Sequence, residues 1–210
     1  MQAVTIKAQV YRTIKGRILS GQYGFGEKLN IDALCKELSV SNSPVREALV
    51  LLVKDHLVEM HPNTGAHVIT LTVHSYNELT DAMNTLLLGA YEICCRRGKK
   101  SLLLAQLREQ MVRLQHIIQI GQEREKIYAI LCFDRCFLTA TENRKTIALF
   151  DDQLDLIYLA YIYNHQNCTI DWQRNIERSQ TLLHAVEEGQ HDLVKDILCE
   201  RSNPHILEDT

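Results

Sequence analysis

The chain has 210 residues, 46% of them hydrophobic, a formal net charge of −3 and seven cysteines. That length and apolar content can bury two modest cores, and the slightly acidic balance argues against a protein that coats nucleic acid regardless of sequence. No apolar run reaches membrane-spanning length and residues 1–7 lack a signal-peptide core, so a cytoplasmic protein is expected, and the odd number of cysteines without a repeated Cys-x-x-Cys spacing reads as reduced thiols rather than a disulfide framework or zinc ribbon.

In chain order, Val10, Ile14, Ile18 and Leu19 recur at helical spacing and predict a first helix over residues 5–20, ending at Gly21. Lys7, Arg12, Lys15 and Arg17 fall on its other sides, where they could meet phosphates. A glycine-rich turn precedes a short helix from Ile31 to Leu38, and Ser39, Val40 and Ser41 make a tight turn into a third helix running to about Asp55. Pro44 suits the first turn of that helix, with Asn42 or Ser43 as its cap. Val45, Ala48, Leu49 and Leu52 form a buried stripe, which leaves Asn42, Ser43 and Arg46 outward near the N-terminal end. That is helix-turn-helix spacing, and that end is the one such proteins push into the major groove. Leu57–Met60 and Ala66–Leu71 are short and β-capable. Pro62, Asn63, Thr64 and Gly65 between them supply turn chemistry, so a hairpin is predicted.

From His74 to about residue 200 the pattern is helical, with breaks at Gly98–Lys100, at Gly121 and Gln122, around Glu142 and Asn143, over Asn164–Asp171, and near Gly189 and Gln190. Six or seven helices result. Leu104, Leu107, Met111, Leu114 and Ile118 mark the apolar stripe of one of them. The expected fold class is therefore mainly α: a winged helix-turn-helix of three helices and a β-hairpin over residues 1–72, then an all-α antiparallel bundle over residues 73–210. Residues 1–70 hold eight Lys/Arg against six Asp/Glu, a balance of +2 that leaves −5 on the rest. A basic head on an acidic body suits a DNA reader with a separate regulatory domain.

The run from Val40 through Pro44, Val45, Arg46 and Glu47 to Leu49, followed by His56–Glu59 and Pro62–Val68, resembles the winged helix-turn-helix of the GntR family of bacterial transcription regulators. The remaining chain resembles, more weakly, the effector domain of the FadR subfamily, the FCD type. The resemblance implies a dimer bound to a palindromic double-stranded DNA operator, with Arg46 contacting a base, Asn42 and Ser43 reaching bases or phosphates, and Asn63, Thr64, Gly65 and His67 at the wing touching backbone or minor groove. In the family a basic residue often stands where Asn42, Thr64 and Val50 stand here, which implies weaker or more salt-sensitive binding. Val50, Leu51 and Val53 are apolar on a face the family keeps polar, and they call for cover.

FCD-type domains usually bind a small organic acid, often through a metal held by three histidines and a carboxylate. Alignment puts Asp134, Ser179 and Arg201 where the three histidines stand, and Met83 and Leu87 where the first helix carries Arg and Glu. The resemblance thus implies no metal here, and no cofactor is expected. Met83, Leu87, Asp134, Ser179 and Arg201 become the candidate effector residues of a metal-free pocket, unless apolar side chains have filled it. Asp134 and Arg201 could equally be a buried ion pair. Cys132 with Cys136, one helical turn apart, and the adjacent Cys94 and Cys95 leave a redox switch open, as the spacing of His184 and His191 leaves a metal pair. An enzyme finds no support, since no nucleophile elbow, phosphate loop or catalytic His/Glu/Asp spacing is present. The expected function is a regulator, chiefly a repressor, controlled by a small-molecule effector; the alternative is an effector-blind or partner-controlled DNA binder.

Overall fold

The structure, a computed structural model, describes residues 5–167 and 171–199. It divides between Leu71 and Thr72 into two compact units.

In the first unit, α1 (Ile6–Leu19) buries Val10, Ile14, Ile18 and Leu19 and is capped by Thr5, whose hydroxyl accepts from the Ala8 amide at 3.3 Å. β1 (Lys28–Leu29) follows, a strand that the glycine-rich stretch does not announce. α2 (Ile31–Leu38) is capped by Asn30 and ends at Ser39, which adopts the left-handed conformation at φ 53°. That single residue turns the chain into α3 (Asn42–Lys54). Val45, Ala48, Leu49 and Leu52 of α3 are at most 1% exposed, against α1 and α2. Each buried Val or Leu stabilises by about 1.5–3 kcal/mol, so this stripe fixes which side of α3 faces out.

The predicted cap of α3 is corrected. The N-cap is Ser41, which makes no side-chain capping bond, and Asn42 and Ser43 are already helical. Their side chains bond along the outer face instead, and Pro44 sits in the first turn, where its missing N–H would have no intrahelical partner anyway.

β2 (Val58–His61) and β3 (Gly65–Val68) form the expected hairpin, its turn made by Asn63 at φ 67° and Gly65 at φ 93°. β3 lies between the other two strands, antiparallel to both. The wing is thus a three-stranded sheet rather than a hairpin alone, tied to the segment ahead of α2.

The second unit begins with a capping box in which the Thr72 and Ser75 side chains accept from each other's amides at 3.1 and 2.9 Å. Among the described residues it holds seven helices: α4 (Val73–Arg96), α5 (Lys100–Ile120), α6 (Glu123–Ala140), α7 (Arg144–Asp151), α8 (Leu154–Asn167), α9 (Trp172–Glu188) and α10 (His191–Cys199). α6 is the central helix, packed on α4, α5, α7 and α8, and ten of its side chains are buried. The break between α7 and α8 is unmarked by glycine or proline and was not expected from sequence. On α5 the buried stripe runs Leu103, Leu107, Met111, Leu114 and Ile118, so Leu103 takes the place expected of Leu104. Gly121 ends α5 where a Cβ would stand 2.6 Å from the Ile117 carbonyl oxygen, so only glycine fits there. Among the described residues no helix is long and apolar enough to cross a membrane.

Candidate nucleic-acid interface

The outer face of α3 begins with two side-chain pairs one turn apart. Arg46 Nε donates to Asn42 Oδ1 at 2.5 Å, and Ser43 Oγ donates to Glu47 Oε1 at 3.0 Å. Glu47 is also 3.7 Å from Lys7 Nζ on α1, which offsets its charge. Asn42, Ser43, Arg46 and Glu47 are all exposed. Chemically the row offers the terminal guanidinium N–H groups of Arg46 as donors, with the Ser43 oxygen as acceptor. Glu47 was not among the sequence candidates, although its i,i+4 spacing from Ser43 was the available signal.

α1 contributes scaffold more than phosphate contact. The Tyr11 hydroxyl donates to the Asp55 carboxylate and accepts from Lys15 Nζ at 2.8 Å, joining α1 to the C-terminal end of α3. Burial, followed by the Asp55 bond, raises the Tyr11 pKa. Arg17 forms a two-bond pair with Glu37 of α2 and also reaches the Tyr23 hydroxyl at 3.1 Å. The Arg17 bond holds the Glu37 carboxyl below its ordinary range. Lys7, Lys15 and Arg17 are therefore engaged within the protein, whereas Arg12 is exposed.

On the wing, Asn63 and Thr64 are exposed at the turn and Gly65 and His67 half-buried. His67 Nδ1 lies 3.2 Å from the Gly65 carbonyl oxygen, and its ring is 5.2 Å from that of His61. In register, His67 sits between Lys28 on β1 and Glu59 on β2. His61 Nε2 is 3.2 Å from the Glu59 carboxylate. His61 and Lys28 are additions that depend on β1 and on strand register, neither of which sequence spacing supplied. Of the apolar positions on α3, Val50 is 65% exposed while Leu51 and Val53 are half-buried.

In the helical unit the candidate effector residues are spread over three helices. Leu87 on α4, Asp134 on α6 and Ser179 on α9 are buried, at 1, 4 and 9% exposure, and Met83 is half-buried. Arg201 lies outside the described residues, and so does any pairing of it with Asp134. Asn164 on α8 is buried too, with its Oδ1 unpartnered among the described residues. It was not a sequence candidate, because its position reads as the end of a helix. A cleft of about 150 Å³ between α5 and α6 is lined by Gln106, Glu109, Cys132, Arg135 and Thr139 among others. It includes none of the predicted effector residues.

The cysteine and histidine pairs separate. The Cys94 thiol donates to the Phe137 carbonyl at 3.8 Å and the Cys136 thiol to that of Cys132 at 3.4 Å. Burial pushes Cys94 up to about 11 and, aided by the Asp134 charge, Cys136 up to about 12. Gly189, at φ 72°, ends α9, so His184 and His191 lie on different helices. His191 Nδ1 instead meets the Tyr91 hydroxyl at 2.6 Å.

Residues 6–68 match the family model described as bacterial regulatory proteins, gntR family. Over 158 residues the chain is 28% identical to the uncharacterized HTH-type transcriptional regulator YdhC of Bacillus subtilis, covering 75% of this chain and 70% of that protein. It is 24% identical over 206 residues to the HTH-type transcriptional regulator McbR of Escherichia coli, covering 95% and 90% respectively. The crystal structure of a GntR transcriptional regulator from Rhodococcus sp. RHA1 shares the fold, with a TM-score of 0.71 at 19% identity over 93% of this chain and 95% of that one. The helix-turn-helix and wing occupy the residues matched by the gntR family model, and over most of its length the chain is similar to DNA-binding transcription regulators rather than to enzymes.

Proposed function

We propose that this regulator is a cytoplasmic repressor that binds a short palindromic operator as a homodimer and releases it in response to a small molecule. Residues 1–72 are its DNA-binding domain and residues 73–210 its effector-binding and dimerisation domain, of the FadR-subfamily type. The observation that carries the DNA half is Arg46, exposed near the N-terminal end of a helix whose opposite side is sealed into the core. Arg46 reads a base. Asn42 and Ser43 flank it, while Asn63, Thr64, Gly65 and His67 meet the sugar-phosphate backbone or minor groove from the wing. Twofold symmetry of the protein then requires twofold symmetry of the operator.

The effector half is supported by Asp134, Asn164 and Ser179. With Asn84 and Thr141 they are the five buried polar side chains among the described residues of the bundle, and Asn164 Oδ1 has no hydrogen-bond partner among those residues, which a ligand donor would supply. The fully buried Leu87, at a position where the first helix of the family's domain commonly carries Glu, favours the second reading, an effector-blind DNA binder.

The DNA half is tested by selecting duplexes from a random pool with the full chain and with Arg46→Ala. The wild type should enrich an inverted repeat. Arg46→Ala should lose about 1–3 kcal/mol of discrimination at one base pair per half-site while melting at the wild-type temperature. Enrichment of the same repeat by both proteins would refute the assignment.

A further inference from the structure

Arg46 does not stand alone on the outer face of α3. Its Nε–H is taken by the Asn42 side-chain oxygen at 2.5 Å, one turn earlier on the same helix. A guanidinium can grip two acceptors in two ways, side-on through Nε and one terminal nitrogen, or end-on through both terminal nitrogens. With Nε occupied, the end-on fork remains. Two parallel donors in that fork match the O6 and N7 acceptors that guanine presents in the major groove, whereas adenine offers one acceptor beside a donor there.

We propose that Asn42 is a positioning residue, which holds Arg46 by its Nε–H so that the guanidinium meets a guanine end-on through its two terminal nitrogens. This role rests on α3 being the helix that reads DNA, and it assigns the base that Arg46 reads. The carboxylate nearest along the row, Glu47, is held by Ser43 and Lys7 instead of drawing Arg46 aside. The residue type at 42 matters. An amide oxygen accepts from Nε without neutralising Arg46 and without setting a negative charge among phosphates, while Lys or Arg at 42 could not accept at all. What is lost as a phosphate contact at this position is returned as orientation. An arginine already held gives up less rotamer freedom when it binds.

The test uses the full chain and DNA selection followed by affinity measurement on the enriched duplex and its single-base variants, with Asn42→Ala, Asn42→Asp, Arg46→Ala and the double alanine variant. Melting temperatures verify that all four are folded, which both side chains' exposure leads one to expect. Asn42→Ala should bind the operator about three- to tenfold more weakly. Its preference for a G·C pair should fall at the same base pair that Arg46→Ala erases. The double variant should discriminate no worse than Arg46→Ala alone, the non-additivity expected of one coupled unit. Asn42→Asp, which keeps an acceptor, should retain the guanine preference at lower overall affinity. Loss of preference at a different base pair in Asn42→Ala would mean that Asn42 reads DNA itself and would overturn the proposal, as would an unchanged preference. If Arg46→Ala and the wild type select the same duplex, the assignment of α3 fails, and the positioning role with it.

Discussion

At Cys94 and Cys136 the thiol hydrogen points to a backbone carbonyl and the surroundings penalise a thiolate, so both sulfurs stay protonated well above neutral pH. Arg135, the neighbouring cation that might have activated Cys132 or Cys136, is spent on a two-bond pair with Asp151 at 2.6 and 2.7 Å. Thiol oxidation proceeds through the thiolate, so these two cysteines are poorly placed to act as a redox switch. Brief alkylation of the folded protein at about pH 8, read by peptide mass spectrometry, should therefore label the exposed Cys132 and Cys199 and spare Cys94 and Cys136. Labelling of all four at equal rates would show that the interior thiols ionise after all. The adjacency of Cys94 and Cys95 and the one-turn spacing of Cys132 and Cys136 are visible in sequence. That one member of each pair faces inward depends on which side of α4 and α6 is covered, a tertiary fact.

The Arg135–Asp151 pair joins α6 to α7, and its hydrogen bonds hold the Asp151 carboxyl below the ordinary carboxylate range. A carboxylate that binds its proton more weakly folded than unfolded contributes stability above its unfolded pKa and loses it as pH falls through the folded one. Because both side chains are partly exposed, the contribution is about 0.5–1 kcal/mol. In melting experiments Asp151→Asn should be less stable than wild type at about pH 7, and the gap should close as acid protonates the Asp151 carboxylate of the folded protein; a gap that stays constant under acidification would deny the pair its role. Elements of this kind were unequally legible. The buried stripes of α1 and α3 follow from periodicity, since a 3.6-residue repeat of large apolar groups has one way to hide. β1 did not, because two residues are too few for any period and gain their strand character only by pairing with β3. The α7–α8 break was equally silent. The α3 cap was misplaced because Asn42 and Ser43 are good caps by type, yet their side chains had better partners at Arg46 and Glu47.

For the molecule as a whole, the two units differ in what they disclose. Local spacing carries the helix-turn-helix and wing, whereas Asp134, Asn164 and Ser179 come from three helices far apart in sequence, and only folding shows that all three are interior. If they line a ligand site, a metabolite selective for the folded state should raise the melting temperature of the full chain, by about 2.7 kcal/mol of added stability at a hundredfold excess over its dissociation constant. A panel of organic acids, acyl-CoAs and nucleotides, run with and without chelator, is the measurement. A hit that survives chelator supports a metal-free sensor, and silence in protein that still binds DNA supports the effector-blind reading.

The Thr72–Ser75 capping box lets α4 start on bonds of its own making, directly after Leu71 closes the first unit's core. Inheritance can therefore act on the halves at separate tempos: a lineage can keep its address on the chromosome while rewriting the message it answers to, or move to a new address with the message intact.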